Sequence, residues 1–239
     1  VAYDGEYQII LDYGERWTEH LERTSTELEV LNLGVNAFGC DQELRLLETR
    51  GLEFAPHVVV VQVFLGNDFD DIRYARHFDW PKPHYEWSGE ELQLVPPELS
   101  WDVRMRESSY LGEGLFRVVG RALERNVRAT QLEATDTVPL LAAILTRMEL
   151  VARDAGAPLL VVFAYPFERG ADPPVERERR LAELLSAARV PVLDLRGVFA
   201  EHTARGAALY VADGHWNSAG HLLTASEIAR ELSARDWLR

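Results

Sequence analysis

Asp213 and His215 are the residues whose types and spacing best fit acid-base chemistry. A histidine that acts as a general base needs a partner that orients its ring, and a carboxylate on the other ring nitrogen does this. Asp213 lies two positions before His215, which is close enough to reach it across a tight turn. Asn217 or Ser218 can cap the helix that follows, so a plain capping loop with a surface histidine is the competing interpretation.

A second polar loop, Gly66-Asn67-Asp68, follows an apolar run. The side-chain amide of Asn67 can donate a hydrogen bond to an oxyanion that develops during a reaction. Gly, Asn and Asp also favour turns, so an ordinary turn explains the same residues. Asp68, Asp70 and Asp71 have no histidine or further carboxylate near them at ligand spacing. We therefore predict a solvated acidic loop and no metal site.

A third loop, from Asn32 to Gly39, is small and rich in glycine, which lets a backbone approach a ligand closely. Its backbone N–H groups are further candidates for oxyanion donors, and a tight strand-to-helix turn is the alternative. The loop lacks the Gly-x-Gly-x-x-Gly spacing of a dinucleotide site, and the sequence has no Gly-Lys-Ser/Thr phosphate loop.

In their chain order, these loops resemble the conserved blocks of the SGNH (GDSL-like) hydrolase family, which carry Ser, Gly, Asn and His in that order. NLGVNAFG at 32–39 resembles the second block, GND at 66–68 the third, and DGHWNSAGH at 213–221 the fifth. The stretch Gly14–Thr18 and the helix after it resemble the residues that follow the first block. The resemblance spans most of the chain.

The resemblance implies an ester hydrolase with a Ser-His-Asp mechanism, in which His215 is the general base and Asp213 orients it. The Asn67 amide and the Ala37 N–H are then oxyanion donors, together with the N–H of the nucleophile. The substrate-binding residues expected from the same loops are Gly34, Asn36, Gly66 and Trp216. The resemblance implies no metal and no organic cofactor, and a small-molecule or carbohydrate ester as substrate.

The sequence departs from the family pattern at two of these positions. Ala37 stands where many members have Gly, and its backbone N–H serves equally provided that the Cβ is tolerated. Many members place the Asp three residues before the His, where this chain has Ala212.

The family's first block, Gly-Asp-Ser after a first strand, is not visible in the sequence. One alignment places Tyr3-Asp4-Gly5 over it and replaces the nucleophile with Gly5, and the other places the serine before Val1. We expect the second, because residues 1–10 hold no buried-strand run. Loss of the central first strand would leave rows of unpaired N–H and C=O groups.

Two other functions compete with ester hydrolysis. The HWN form of the last block also resembles polysaccharide O-acetyltransferases, which predicts an O-acyltransferase acting on a carbohydrate or small alcohol with the same residues. A true replacement of the serine by Gly5 predicts a catalytically inactive binding module.

Apolar runs alternate with helical periodicity along the chain. The predicted strands are 27–33, 57–64, 159–164 and 191–195, and the predicted helices are about 13–23, 41–52, 111–128, 138–155, 176–188 and 218–234. Nearly continuous apolar strands between helices indicate a parallel sheet covered on both faces. We predict one α/β domain over 1–239, a three-layer α/β/α sandwich with a flavodoxin-like sheet. Its site is expected at the carboxyl ends of the strands.

An aromatic-rich insertion at about 72–110 breaks this alternation. Residues 84–87 and 92–95 flank Ser88-Gly89 and predict a hairpin. The insertion is either a lid over the site or a satellite hydrophobic cluster packed under a long loop.

The composition restricts the partners. A formal charge of -14 repels phosphate backbones and argues against nucleic acid. Cys40 is the single cysteine, so an internal disulfide is impossible. No run approaches the roughly 20 apolar residues that a membrane span needs. These features predict a soluble protein and leave its oligomeric state and its compartment, cytoplasmic or secreted, open.

Overall fold

The computed structural model describes residues 13–26, 28–77, 80–98, 103–104, 136–166, 175–212 and 214–238. The elements in chain order are α1 (Trp17–Glu22), α2 (Cys40–Thr49), β1 (Val59–Phe64), α3 (Asp68–Asp71), β2 (Arg76–His77), β3 (Trp80–Pro81), β4 (His84–Ser88), β5 (Glu91–Val95), α4 (Thr137–Asp154), β6 (Leu159–Ala164), α5 (Glu176–Ala187), β7 (Val192–Asp194), α6 (Arg196–Ala204) and α7 (Ser218–Ala234), with short 3-10 helices at Tyr13–Glu15 and Gly51–Phe54. The predicted helix at 111–128 and Gly5 lie outside the described residues.

The described strands β1, β6 and β7 form a parallel sheet in that order. Side chains of a strand alternate between its faces, and both faces of β6 are buried. Leu159, Val161 and Phe163 join a core with α2, α4 and α5. Leu160 and Val162, on the other face, join a core with α1, α6 and α7. Helices on both faces of a parallel sheet confirm the predicted α/β/α sandwich.

Helices α4 and α7 begin at residues whose side chains cap them. The Asp136 carboxylate accepts the Val138 N–H at 3.2 Å at the start of α4. The Asn217 side-chain oxygen accepts the Gly220 N–H at 3.0 Å at the start of α7. Such caps satisfy backbone donors that lack a partner within the helix. Both helices begin within one residue of the predicted position.

The predicted strand at 27–33 is wrong over its described residues, because 28–33 form no strand. The Val30 N–H bonds to the Glu22 carboxylate at 3.2 Å and not to a neighbouring strand. Leu28 and Val30 pack against the core, whereas Leu31 and Leu33 are exposed. The apolar pattern therefore reflects an irregular segment that packs on one side only.

One helical prediction also needs correction, and one helix was missed. The predicted helix at 41–52 ends at Thr49, and a 3-10 helix follows from Gly51 to Phe54. Helix α6 was not predicted, and Phe199 is its one buried residue. A helix that buries so little gives almost no apolar periodicity.

The hairpin of the insertion is confirmed as β4 and β5, which pair antiparallel around Gly89. Tyr85 is buried, and Leu92 and Leu94 pack against the core that contains α2 and α4. The Lys82 ammonium is also buried and pairs with Asp41 of α2. Over these residues the insertion packs as a satellite hydrophobic cluster, and its role as a lid over the site stays a prediction.

Candidate active site

The predicted loops meet at the carboxyl end of β1. The ring of Phe64, the last residue of β1, stacks on the imidazole of His215 with centroids 6.4 Å apart and planes 9° apart. On the other side, a Cβ built on Gly39 would lie 3.1 Å from the Cβ of Asp71 in α3. The end of the second-block loop thus lies against α3, which begins in the third-block motif, and His215 stacks on the strand end that leads into that motif.

A short backbone bridge holds the loop that carries His215. The Val211 N–H donates to the His215 carbonyl at 2.8 Å, and Tyr210 pairs with Trp216 across the loop. Gly214 has a φ of +89°, a conformation that favours glycine. Asp213 lies outside the described residues, so its pairing with His215 stays a prediction.

The helix cap expected at this loop is present, and it belongs to Asn217. Besides capping α7, its amide donates to the Ala208 carbonyl at 2.9 Å. Helix capping therefore explains the residue type at Asn217, and it does not explain why His215 lies against Phe64.

Trp216, expected among the substrate-binding residues, is only 7% exposed. Its indole packs at 5.3 Å from Phe199 and lies edge-on at 5.5 Å from His221. This burial favours a role in anchoring the loop over contact with a substrate.

Asn67 lies exposed at the start of α3, and its amide donates to the Asp71 carboxylate at 2.6 Å. The amide nitrogen has a second N–H that can serve another acceptor. A Cβ on Gly66 would come within 2.5 Å of the Phe64 ring. Glycine is thus needed at 66 because the turn folds over that ring.

The Ala37 loop turns sharply before α2. Ala37 has a φ of +67°, and the Phe38 N–H donates to the Val35 carbonyl at 3.2 Å. This conformation costs an alanine about 1–2 kcal/mol, which explains why a glycine is easier to place there. The Gly34 N–H bonds to the Asn32 side chain at 3.0 Å, and Asn36 is exposed.

Sequence reasoning missed the buried polar groups beneath these loops. Asp68, expected in a solvated loop, is only 7% exposed. Its Oδ2 accepts the Phe64 N–H at 2.7 Å and lies 3.7 Å from the Cys40 thiol. Burial raises the pKa of Asp68 to about 7 and that of Glu43 to about 8, and the charge of Asp68 adds to the effect on Glu43.

The Asp41–Lys82 ion pair is the other buried contact that was missed. The two side chains are 0% and 3% exposed. Burial raises the pKa of Asp41, and the Lys82 ammonium partly offsets this. The partners are 41 positions apart, so no local pattern signals the contact.

A third missed group lies at the carboxyl ends of β6 and β7. The Arg196 guanidinium stacks at 3.9 Å over the ring of Tyr165 and pairs with the buried Glu178. Burial, more than the Asp194 charge, raises the pKa of the Tyr165 hydroxyl above its usual range. In the part of the chain that the structure describes, no group of three or more His, Cys, Asp or Glu is arranged to hold a metal ion.

A second histidine of the last block, His221, links α7 to the start of α1. Its Nδ1 accepts the Trp17 N–H at 3.3 Å. Burial, helped by the nearby His20, lowers the pKa of His221 to about 4, so its ring is neutral at neutral pH. His221 therefore serves as a fixed acceptor between two helices.

Known proteins resemble the chain in part of its sequence and in fold. Residues 165–239 match the family described as SGNH hydrolase-like domain, acetyltransferase AlgX. An acetyl xylan esterase, AlAXEase, is 10% identical over 91% of this chain and 91% of its own, with a TM-score of 0.53. The lipase/acylhydrolase from Enterococcus faecalis is 17% identical over 92% of this chain and 85% of its own, with a TM-score of 0.47. No curated protein matches the chain in sequence.

The family match and the likeness to the acetyl xylan esterase agree with the fold. The family match covers α5, β7, α6, the His215 loop and α7. At 10% identity, the likeness to the acetyl xylan esterase is one of fold alone. None of the helices formed by the described residues combines the length and apolarity that a membrane crossing needs. The predicted resemblance is confirmed: this is an α/β chain with an SGNH hydrolase-like fold.

Proposed function

We propose that the chain is a serine-type ester hydrolase in which His215 is the general base and Asp213 orients it. The observation that supports this most is the position of His215. Its imidazole stacks on Phe64, the residue from which the Asn67 turn begins. A base at the carboxyl edge of a parallel sheet, beside a polar turn, is where such folds bind ligands.

The proposed oxyanion donors are the Asn67 amide and the Ala37 N–H. Contact of Gly39 with Asp71 supports this pairing, because Asp71 accepts the Asn67 amide and lies against the end of the Ala37 loop. Gly34, Asn36 and Gly66 are the proposed contacts for the rest of the substrate. In the reaction, a serine attacks the acyl carbonyl while His215 accepts its proton and passes it to the leaving alcohol.

The proposed substrate is a short acyl ester of a carbohydrate or small alcohol. The fold neighbour's name, acetyl xylan esterase, supports an acetylated carbohydrate. No metal or organic cofactor takes part in this scheme.

Hydrolysis of p-nitrophenyl acetate by the full-length protein tests this function. We expect His215→Ala to lower kcat/KM by at least about 10³-fold, because the nucleophile loses its base. The matched control is His57→Ala, an exposed histidine before the amino end of β1. It should retain wild-type activity. Equal rates for His215→Ala and wild type would remove His215 from the mechanism.

A second candidate is an O-acyltransferase, which the match of residues 165–239 to the AlgX acetyltransferase family favours. Both reactions form the same acyl-enzyme and differ in the acceptor. Product analysis with an added xylo-oligosaccharide separates them. Acylated oligosaccharide as the main product identifies a transferase, and free acetate identifies a hydrolase.

A further inference from the structure

Asp68 connects the two loops that carry the proposed oxyanion donors. Its Oδ2 accepts the Phe64 N–H at 2.7 Å, at the end of β1 where the Asn67 turn begins. The Cys40 thiol, at the start of α2 just beyond the Ala37 loop, donates to the same oxygen at 3.7 Å. One carboxylate oxygen therefore contacts the backbone of one loop and the anchor of the other.

The burial of Asp68 shows that it does more than start a helix. An exposed aspartate in the first turn of α3 would interact favourably with the helix dipole and would keep its hydration. Asp68 is instead 7% exposed, and it neighbours the Asp41, Asp71 and Glu43 carboxylates. Burial of a carboxyl group costs desolvation free energy, and the hydrogen bonds that Asp68 makes must offset this cost.

We propose that Asp68 is a positioning residue that fixes the Asn67 turn relative to the Ala37 loop, so that both donors face the same oxyanion. This inference rests on the proposed function. Asp68 acts through Phe64 and Cys40 and does not touch the substrate. An error of about 1 Å in the placement of catalytic groups costs about 10²-fold in rate, which sets the size of the effect.

Two substitutions of Asp68 separate positioning from packing. Asp68→Asn keeps an oxygen that accepts the Phe64 N–H, and Asp68→Leu removes it while keeping a side chain of the same branched shape. We expect Asp68→Leu to lower kcat on p-nitrophenyl acetate by about 10²-fold with KM unchanged, because the donors act in the transition state. Asp68→Asn should keep kcat within about threefold, since the acceptor survives.

The control for lost stability is Leu185→Ala, in the last turn of α5 just before the amino end of β7. Its side chain is fully buried, so the change costs about 2–5 kcal/mol. Its kcat per folded molecule should equal that of the wild type. If Asp68→Leu behaves like Leu185→Ala, with lower stability and unchanged kcat, the positioning role is overturned.

Two variants of Cys40 test the other side of the same contact. They keep the proposal testable if Asp68→Leu does not fold. Cys40→Ser keeps a donor to Asp68, whereas Cys40→Ala removes it. We expect Cys40→Ala to lower kcat by about 3–10-fold and Cys40→Ser to retain it, in line with one hydrogen bond. Equal kcat for both variants would overturn the proposal.

Hydrogen exchange at the Phe64 amide tests the contact without any activity. We expect exchange at least about tenfold faster in Asp68→Leu than in wild type, and protection restored in Asp68→Asn. A protein that shows this pattern and cleaves no ester would contradict the proposed function and leave the contact intact. An unchanged Phe64 amide in Asp68→Leu would contradict the contact itself.

Discussion

The two sides of the candidate site are held in place by different forces. The histidine loop, residues 209–217, is fixed by the buried Trp216 indole and by backbone hydrogen bonds. The oxyanion side, residues 34–41 and 64–71, rests on buried titratable groups. These are the Asp68 carboxyl group and the Asp41–Lys82 ion pair.

This difference has consequences for stability. Apolar packing is insensitive to pH, and its loss leaves a cavity. Buried carboxyl groups and ion pairs respond to pH, and the loss of one partner leaves a charge without compensation. We therefore expect substitutions and pH to act on the two sides in distinct ways.

Trp216→Ala should have the largest effect on stability. Removal of the indole leaves a cavity against Phe199 and should lower the free energy of unfolding by about 4 kcal/mol. Urea denaturation at pH 6 and at pH 8 measures this loss, which should be the same at both pH values. Trp87→Ala, at a side chain 45% exposed, is the control and should cost less than about 1 kcal/mol. Equal losses for the two would refute the anchoring role of Trp216.

Lys82→Met tests the oxyanion side. It leaves the Asp41 carboxylate buried without its partner, so we expect a loss of about 3 kcal/mol in the same measurement. The double variant Asp41→Asn/Lys82→Met should recover most of this loss, because no buried charge remains. A double variant as unstable as Lys82→Met would show that the ion pair does not account for the effect.

Glu43→Gln sharpens the contrast in pH dependence. Burial raises the pKa of Glu43 from its ordinary 4.5 to about 8, so the folded protein holds a proton that the unfolded chain releases. Stability should therefore fall as pH rises from about 4.5 to about 8. The variant cannot ionise, and its Tm should exceed that of the wild type by a few degrees at pH 9 and match it at pH 4.5.

The control for this pH series is Glu53→Gln, at a side chain 61% exposed. Its Tm should follow that of the wild type at both pH values. If Glu43→Gln does the same, the Glu43 carboxyl group, which neighbours Asp68 and Asp41 of the oxyanion side, does not hold the proton that we assign to it in the folded protein.

Ala37→Gly should have the smallest effect. Glycine adopts a φ of +67° without the steric cost that alanine carries, but it loses more conformational entropy on folding, so we expect a net gain of about 0.5–1 kcal/mol. The backbone N–H is retained, and kcat should stay within about twofold. Ala55→Gly, at a φ of +48° outside the site, is the control and should gain similar stability. A loss of stability in Ala37→Gly would show that the alanine side chain makes contacts that offset its strain.

The sequence predicted the elements that bury a full apolar face. The run at 159–164 is a strand with those bounds, and α7 spans Ser218–Ala234 as expected. The strand predicted at 27–33 failed because a strand also needs a neighbour to pair with, which periodicity does not reveal. Helix α6 was missed because it buries little more than Phe199.

The loops of the candidate site could be predicted from the sequence, and the buried polar groups beneath them could not. His215, Asn67 and Ala37 occur at motif spacing in the chain. Asp68 belongs to the same motif, yet its residue type suggests a solvated turn, and only the fold shows that it is buried. Lys82 joins Asp41 through a contact between distant positions, which is a property of packing and not of local sequence.

The most direct test of the central claim is the intact mass of the full-length protein after treatment with a fluorophosphonate probe. If His215 serves a nucleophilic serine, the wild type gains one adduct, and peptide mapping of the adduct locates that serine. His215→Ala should gain none in the same time, while His57→Ala should label like the wild type. A folded wild-type protein that gains no adduct, or a His215→Ala variant that labels at the wild-type rate, would contradict the assignment of this site to acyl transfer.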